Sequence, residues 1–197
     1  MPSRYARKKG FKNTRKKIVI ATEGEKCEPN YFEALKSKSK QNINIELLPT
    51  TKGFSSPDHV FTRLQQFKAK HQLDPEDQCW LIADVDRFQK QGTLQKAVRD
   101  CQEFGYFFAV TNPCFELWLL LHLENPQGAQ SCSFYKRRLS QLLKPHGAGK
   151  NHGVFFMPHV EKAVERARIL DSRSEDKWPQ ETGSHLYKLI EELVEPR

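Results

Sequence analysis

No stretch of this sequence approaches the ~18 consecutive apolar residues of a membrane span. The longest apolar runs, Leu117–Leu121 among them, are far shorter. The N-terminus is basic and lacks the apolar stretch of a secretory leader. Together these features predict a cytoplasmic protein without membrane contact. Five cysteines (Cys27, Cys79, Cys101, Cys114 and Cys132) include no C-x-x-C pair, which argues against a disulfide framework and a zinc ribbon. Cys101 and Cys114 lie in apolar patterns and read as small core residues. His146 and His152 share a loop but have no companion ligands at metal-binding spacing, so zinc is not expected. Gly147-Ala148-Gly149-Lys150 lacks the G-x-x-x-x-G-K-[ST] spacing and the preceding strand of a phosphate loop. ATP hydrolysis by the chain is therefore not expected.

The 197 residues suit one domain with at most a small appendage, and 38% hydrophobic with 28% charged residues is ordinary for a globular protein. The net charge of +8 is not spread evenly. Arg4, Arg7, Lys8, Lys9, Lys12, Arg15, Lys16 and Lys17 fall in a segment without acids, and the other 24 basic residues balance 24 acidic ones. Such a basic arm suits the phosphate backbone of a nucleic acid, because neutralising phosphates releases counterions whatever the sequence. It serves equally well as a solvated tail that aids solubility.

Strands are expected over Lys17–Thr22 (KIVIAT), Ile43–Leu48 (INIELL), Gln78–Ala83 (QCWLIA) and Tyr106–Val110 (YFFAV), each a short apolar run. Pro49 closes the second. Helical spacing links Tyr31, Phe32 and Leu35 after Pro29, then Val60, Phe61, Leu64 and Phe67 behind an Asp58 cap, then Leu94, Ala97, Val98 and Cys101 before a Gly105 stop. Asn112 and Pro113 read as the N-cap and first position of a buried helix over Phe115–Leu123. Further helices are expected over Phe134–Leu143, His159–Leu170 and His185–Val194, with a mobile loop at His146–Gly153. The alternation predicts an α/β fold with a mostly parallel four-stranded sheet flanked by helices. It divides the chain into an arm at 1–16, an α/β core at 17–124 and a helical C-terminal extension at 125–197.

Ligands of parallel sheets bind beyond the carboxyl ends of strands. Two expected strands end in acids at that edge, one at Glu23 and the other at Asp84 and Asp86, whose alternation points both carboxylates the same way. Gathering three carboxylates costs Coulomb repulsion unless a cation neutralises them or one takes up a proton. Magnesium, or manganese in its place, suits hard oxygen ligands and completes its shell with substrate phosphate. Taken singly, each acid is more often a helix cap. Glu23 stands out because Gly24 follows it, allowing close backbone approach or a positive φ.

The constellation resembles the Toprim fold of topoisomerases, primases and OLD-family nucleases. More closely, Glu23–Phe32 (EGEKCEPNYF), Asp84-Val85-Asp86-Arg87 and Asn112–Leu121 (NPCFELWLLL) resemble the RloB family, which includes AbiLii-type proteins. That resemblance runs from about Lys17 to the C-terminus. It implies a metal-dependent nuclease in anti-phage defence, beside a partner ATPase of the ABC or AAA type. Glu23, Asp84 and Asp86 match the metal ligands or general base. Glu25, Glu28 and Glu116 are further candidate ligands, although Glu116 also suits the helix dipole. Arg87 is expected to stabilise the transition state. Lys26, Lys90, Arg7, Lys8, Lys9 and Lys16 are candidates for contact with DNA or RNA. Phe88 stands where topoisomerase-like sites carry a third Asp, which favours the nuclease-like branch. Cys27 stands where Thr is common. The alternative is a non-catalytic binding or effector subunit of such a complex, and a homo-oligomer is compatible with either.

Overall fold

The computed structural model describes residues 15–50, 53, 56–85, 92–149 and 152–195. Its centre is a five-stranded sheet in the order β2-β1-β3-β4-β5. The strands are β1 (Lys16–Thr22), β2 (Ile43–Leu48), β3 (Gln78–Asp84), β4 (Phe107–Asn112) and β5 (Gly183–Ser184). The first four are parallel, and β5 runs antiparallel to β4. β-Branched and bulky apolar residues in β1 and β3 make both strands buried on both faces, as a covered parallel sheet requires.

Two apolar layers cover the sheet. Ile18, Ile20, Trp80, Ile82 and Ala109 face one core with α1 (Cys27–Leu35), α4 (Phe115–Leu121), α5 (Cys132–Leu143), α6 (Gly153–Phe156), α7 (Val160–Leu170) and α8 (Leu186–Leu193). Val19, Ala21, Leu81, Ala83 and Val110 face the other, against α2 (Pro57–Lys70) and α3 (Thr93–Phe104). The alternate residues of each strand thus divide between the two cores. The chain leaves β1 toward one face through α1 and leaves β3 toward the other through α3. Strand order reverses between these two neighbours, and in parallel sheets such a point is where ligands bind beyond the carboxyl ends.

Several expectations change in detail. The fifth strand was not expected: it comes from the C-terminal third, so that segment completes the sheet as well as packing on it. Asp58 lies inside the first turn of α2, where Pro57 is the first residue and Ser56 holds the N-cap position. Asn112 does not cap α4. Its backbone is still paired with Gly183 in the ladder, its side-chain amide donates to the Pro179 and Gln180 carbonyls, and the Asn112-Pro113 peptide is cis. Cys114 holds the N-cap position and the helix begins at Phe115. The segment expected as a mobile loop meets α6 at its last residue, Gly153. There Gly153 packs so tightly on the Asn30 carbonyl that any Cβ would collide with it. Lys150 and Asn151 lie outside the described residues.

Every residue of α4 is buried, as its all-round apolar pattern predicts. The helix is anchored by polar groups with no access to water. His122 Nδ1 donates to the Trp118 carbonyl (3.0 Å), which leaves Nε2 to accept from the Tyr31 hydroxyl (3.1 Å). This arrangement requires a neutral ring. Burial depresses the His122 pKa to about 3. Below the ordinary value of 6.5 the unfolded chain therefore takes up a proton that the folded chain refuses. Stability from this residue is fully present above pH 6.5 and is lost as the pH falls toward about 3. Each pH unit in that window costs up to about 1.4 kcal/mol. Thermal melts at pH 7 and pH 4.5 should show a smaller acid-induced drop for His122→Gln, which keeps one donor and one acceptor, than for the wild type. Equal drops would contradict this account.

Candidate functional site

β1 and β3 are direct neighbours, with Thr22 aligned to Ile82. Glu23, one residue past Thr22, and Asp84, two past Ile82, therefore reach the same carboxyl edge, with the strands ~5 Å apart. Asp84 is the last residue of β3, half-buried and aligned with Thr111 of β4. Glu23 is only 6% exposed. The structure thus places the first two residues expected at the site at the same edge of the sheet, on neighbouring strands. Asp86, Arg87 and Lys90 lie outside the described residues, as do Arg7, Lys8 and Lys9.

Two further acids join this edge. α1 begins at Cys27 and carries Glu28 in its first turn. The Glu28 carboxylate lies against Gly24, where any Cβ would overlap it. Gly24 has no positive φ, so of its two expected uses, close approach is the one realised. Glu116 occupies the first turn of α4 and is 6% exposed. It and Asp84 both act electrostatically on the Cys114 thiol. Burial pushes that thiol's pKa up, and contact with Cys132 and the two carboxylates push it the same way. Cys114 therefore marks where the end of β3 meets the start of α4, and it is held as a neutral thiol there.

Glu25 and Lys26 are exposed in the short connection to α1. Lys16 is placed differently from its expectation. It is the first residue of β1, paired with Ile43, and its Nζ lies 3.0 Å from Glu192 of α8. It begins the strand that Glu23 follows, about 20 Å away at ~3.3 Å per residue. The basic run of the sequence hides this change, because nothing in a lysine's charge distinguishes a strand residue from an arm residue.

The sequence reading missed Arg63 and Thr50. Pro49 has no N–H, so the β1–β2 ladder cannot continue past Leu48 and the carbonyls beyond it need other donors. Thr50 Oγ1 shares its proton between the Thr22 and Gly24 carbonyls (3.1 and 3.0 Å), the two groups that flank Glu23. From α2, Arg63 Nη2 donates to the Thr22 carbonyl (2.5 Å). Its Nη1 reaches the Pro49 carbonyl (2.9 Å), Thr50 Oγ1 (3.1 Å) and the Leu48 carbonyl (3.3 Å). Burial lowers the Arg63 pKa, and the nearby Glu23 charge opposes that shift. In the sequence, Arg63 is one more polar position in an amphipathic helix.

A family model described as RloB-like protein matches residues 18–193. The chain belongs to the RloB-like family. The match extends from β1 through α8, so the family's sequence pattern includes the fifth strand and the helical layer as well as the acidic edge. No curated protein and no solved structure matches the chain.

The donor set at this edge of the RloB-like fold consists of carboxylate oxygens, which is the chemistry of a hard divalent cation. Among the described residues, no group of three or more His, Cys, Asp or Glu is gathered tightly enough to hold an ion by itself. Magnesium commonly takes only one or two carboxylates and keeps several waters, so a site on Glu23 and Asp84 fits its demands. Also among the described residues, no helix is long and apolar enough to cross a membrane.

The contact between Gly24 and Glu28 gives a direct test of the loop geometry. Gly24→Ala should drive the Glu28 carboxylate away while leaving the thermal midpoint nearly unchanged, because only the end of a flexible side chain must move. A crystal structure of G24A with Glu28 still folded over residue 24 would contradict it.

Proposed function

We propose that this protein is a metal-dependent nuclease that hydrolyses phosphodiester bonds of DNA or RNA, with Glu23 and Asp84 as the principal metal ligands. The single observation that carries this reading is the position of the two acids. They end neighbouring parallel strands at the point where the chain diverges to opposite faces, the standard location for a ligand in such a sheet. Membership of the RloB-like family and the resemblance to Toprim nucleases support the same chemistry. The reading includes a cytoplasmic role in anti-phage defence beside a partner ATPase.

When bound, magnesium supplies charge neutralisation for the phosphate and acidifies water. The chain's own residues hold and orient. Glu23 and Asp84 approach from adjacent strands, so the sheet sets the spacing of the backbone from which they project. Glu28 and Glu116 sit in the first turns of α1 and α4, where the helix dipoles favour the ionised form of an acid. These two are the candidates for holding a second ion or for orienting the water that attacks phosphorus. Lys26, exposed ahead of α1, is placed to meet the phosphate backbone.

The absence of a three-acid cluster among the described residues keeps a second reading in view: a non-catalytic effector subunit that binds nucleic acid. One experiment separates the two. Purified full-length protein is incubated with single- and double-stranded DNA and RNA, with magnesium or manganese, alone and with the partner ATPase. The nuclease reading expects metal-dependent cleavage that Glu23→Ala and Asp84→Ala abolish without changing the fold. Cleavage that persists in both variants removes this site. Binding without cleavage, even with the ATPase present, leaves the effector reading standing instead.

A further inference from the structure

Glu23 is a short distance past the end of its strand, where a side chain would ordinarily inherit the freedom of a loop. Its backbone is nevertheless held on both sides. The Thr22 carbonyl accepts from Arg63 Nη2 and from Thr50 Oγ1, and the Gly24 carbonyl accepts from the Thr50 and Thr22 hydroxyls. Arg63 donates to three backbone carbonyls and to the Thr50 hydroxyl, all neutral groups around the ends of β1 and β2. A guanidinium that gives its hydrogen bonds to neutral carbonyls at a partly buried position loses solvation, a cost that the nearby Glu23 charge opposes. The use it does have is to lock the two strand ends together beside Glu23.

We infer that Thr50 and Arg63 are positioning residues that fix the direction of the Glu23 carboxylate by clamping the carbonyls on either side of it. The inference rests on the reading of Glu23 as a metal ligand. Ligand carboxylates bind metal well only when outer-shell hydrogen bonds hold them in place, and loss of such a partner costs about 10- to 100-fold in metal affinity. Thr50 is the sharper member of the pair, since one hydroxyl serves both flanking carbonyls and also receives Arg63. Neither residue touches the metal or the substrate.

The test uses full-length protein and manganese as the probe, with free Mn2+ measured by electron paramagnetic resonance. Thermal midpoints of the metal-free variants are recorded alongside. Thr50→Val keeps the side-chain shape and removes the hydroxyl, whereas Thr50→Ser keeps the hydroxyl. T50V is expected to weaken Mn2+ binding by about 10-fold or more, and T50S to bind as the wild type does. Arg63→Met should weaken binding in the same direction. If R63M does not fold, the T50V and T50S pair decides the matter. A T50V protein that melts earlier yet binds Mn2+ with wild-type affinity shows a merely structural clamp and overturns the inference. A wild type whose Mn2+ binding is unaffected by Glu23→Gln overturns the metal reading itself and the inference with it, a result distinct from the previous one.

Discussion

A parallel sheet covered on both faces has no solvated surface on which to carry charge, so its acids are confined to the ends of its strands. β1 and β3 obey this constraint closely. Their interiors are apolar on both sides, and their acids appear at the carboxyl ends, at Glu23 and Asp84. Everything at the candidate site follows from that arrangement. The helices that begin nearby, α1 and α4, start at this edge because they follow β1 and β4, which both end there. Their first turns therefore deliver Glu28 and Glu116 to the same neighbourhood.

The same confinement creates a problem of backbone satisfaction. Once Pro49 ends the pairing of β1 with β2, carbonyl groups near Glu23 have no strand partner, yet they are too enclosed to rely on water. Thr50 and Arg63 supply the missing donors. The hydrogen-bonding requirement of the main chain and the orientation of a chemically active side chain are thus met by one set of contacts. On the opposite flank, Cys114 sits at the head of a helix that is buried all round, and that helix is held in turn by the neutral His122 and Tyr31 pair.

Much of this was legible in the sequence, and the reasons are specific. KIVIAT and QCWLIA announce buried strands because their apolar runs are short and largely β-branched or bulky, and the acids that follow them mark the sheet edge. The string after Asn112, apolar but for Glu116 over its helical part, announces a buried helix. Asn112-Pro113 was misleading because a capping pair and a strand end share the same residue types; only the pairing of Asn112 with Gly183 distinguishes them. β5 has two residues and no alternation to detect. Arg63 was invisible because its partners are carbonyl oxygens, which leave no trace in side-chain identity. The close contact of Gly24 with Glu28 was half legible, since a glycine signals either a turn or an approach and the sequence does not choose between them.

The fifth strand has a consequence for how the chain can be cut. β5 covers the outer edge of β4, and the helix that follows it closes against the core that includes β1 and β3. A fragment ending near residue 125 would keep the motif residues but would expose an unpaired strand edge beside a stripped apolar face. Such an edge is a template for pairing with another chain. The acidic half of the molecule is therefore not a portable module: the cover of its β4 edge is written into β5, far along the chain from the carboxylates of the site.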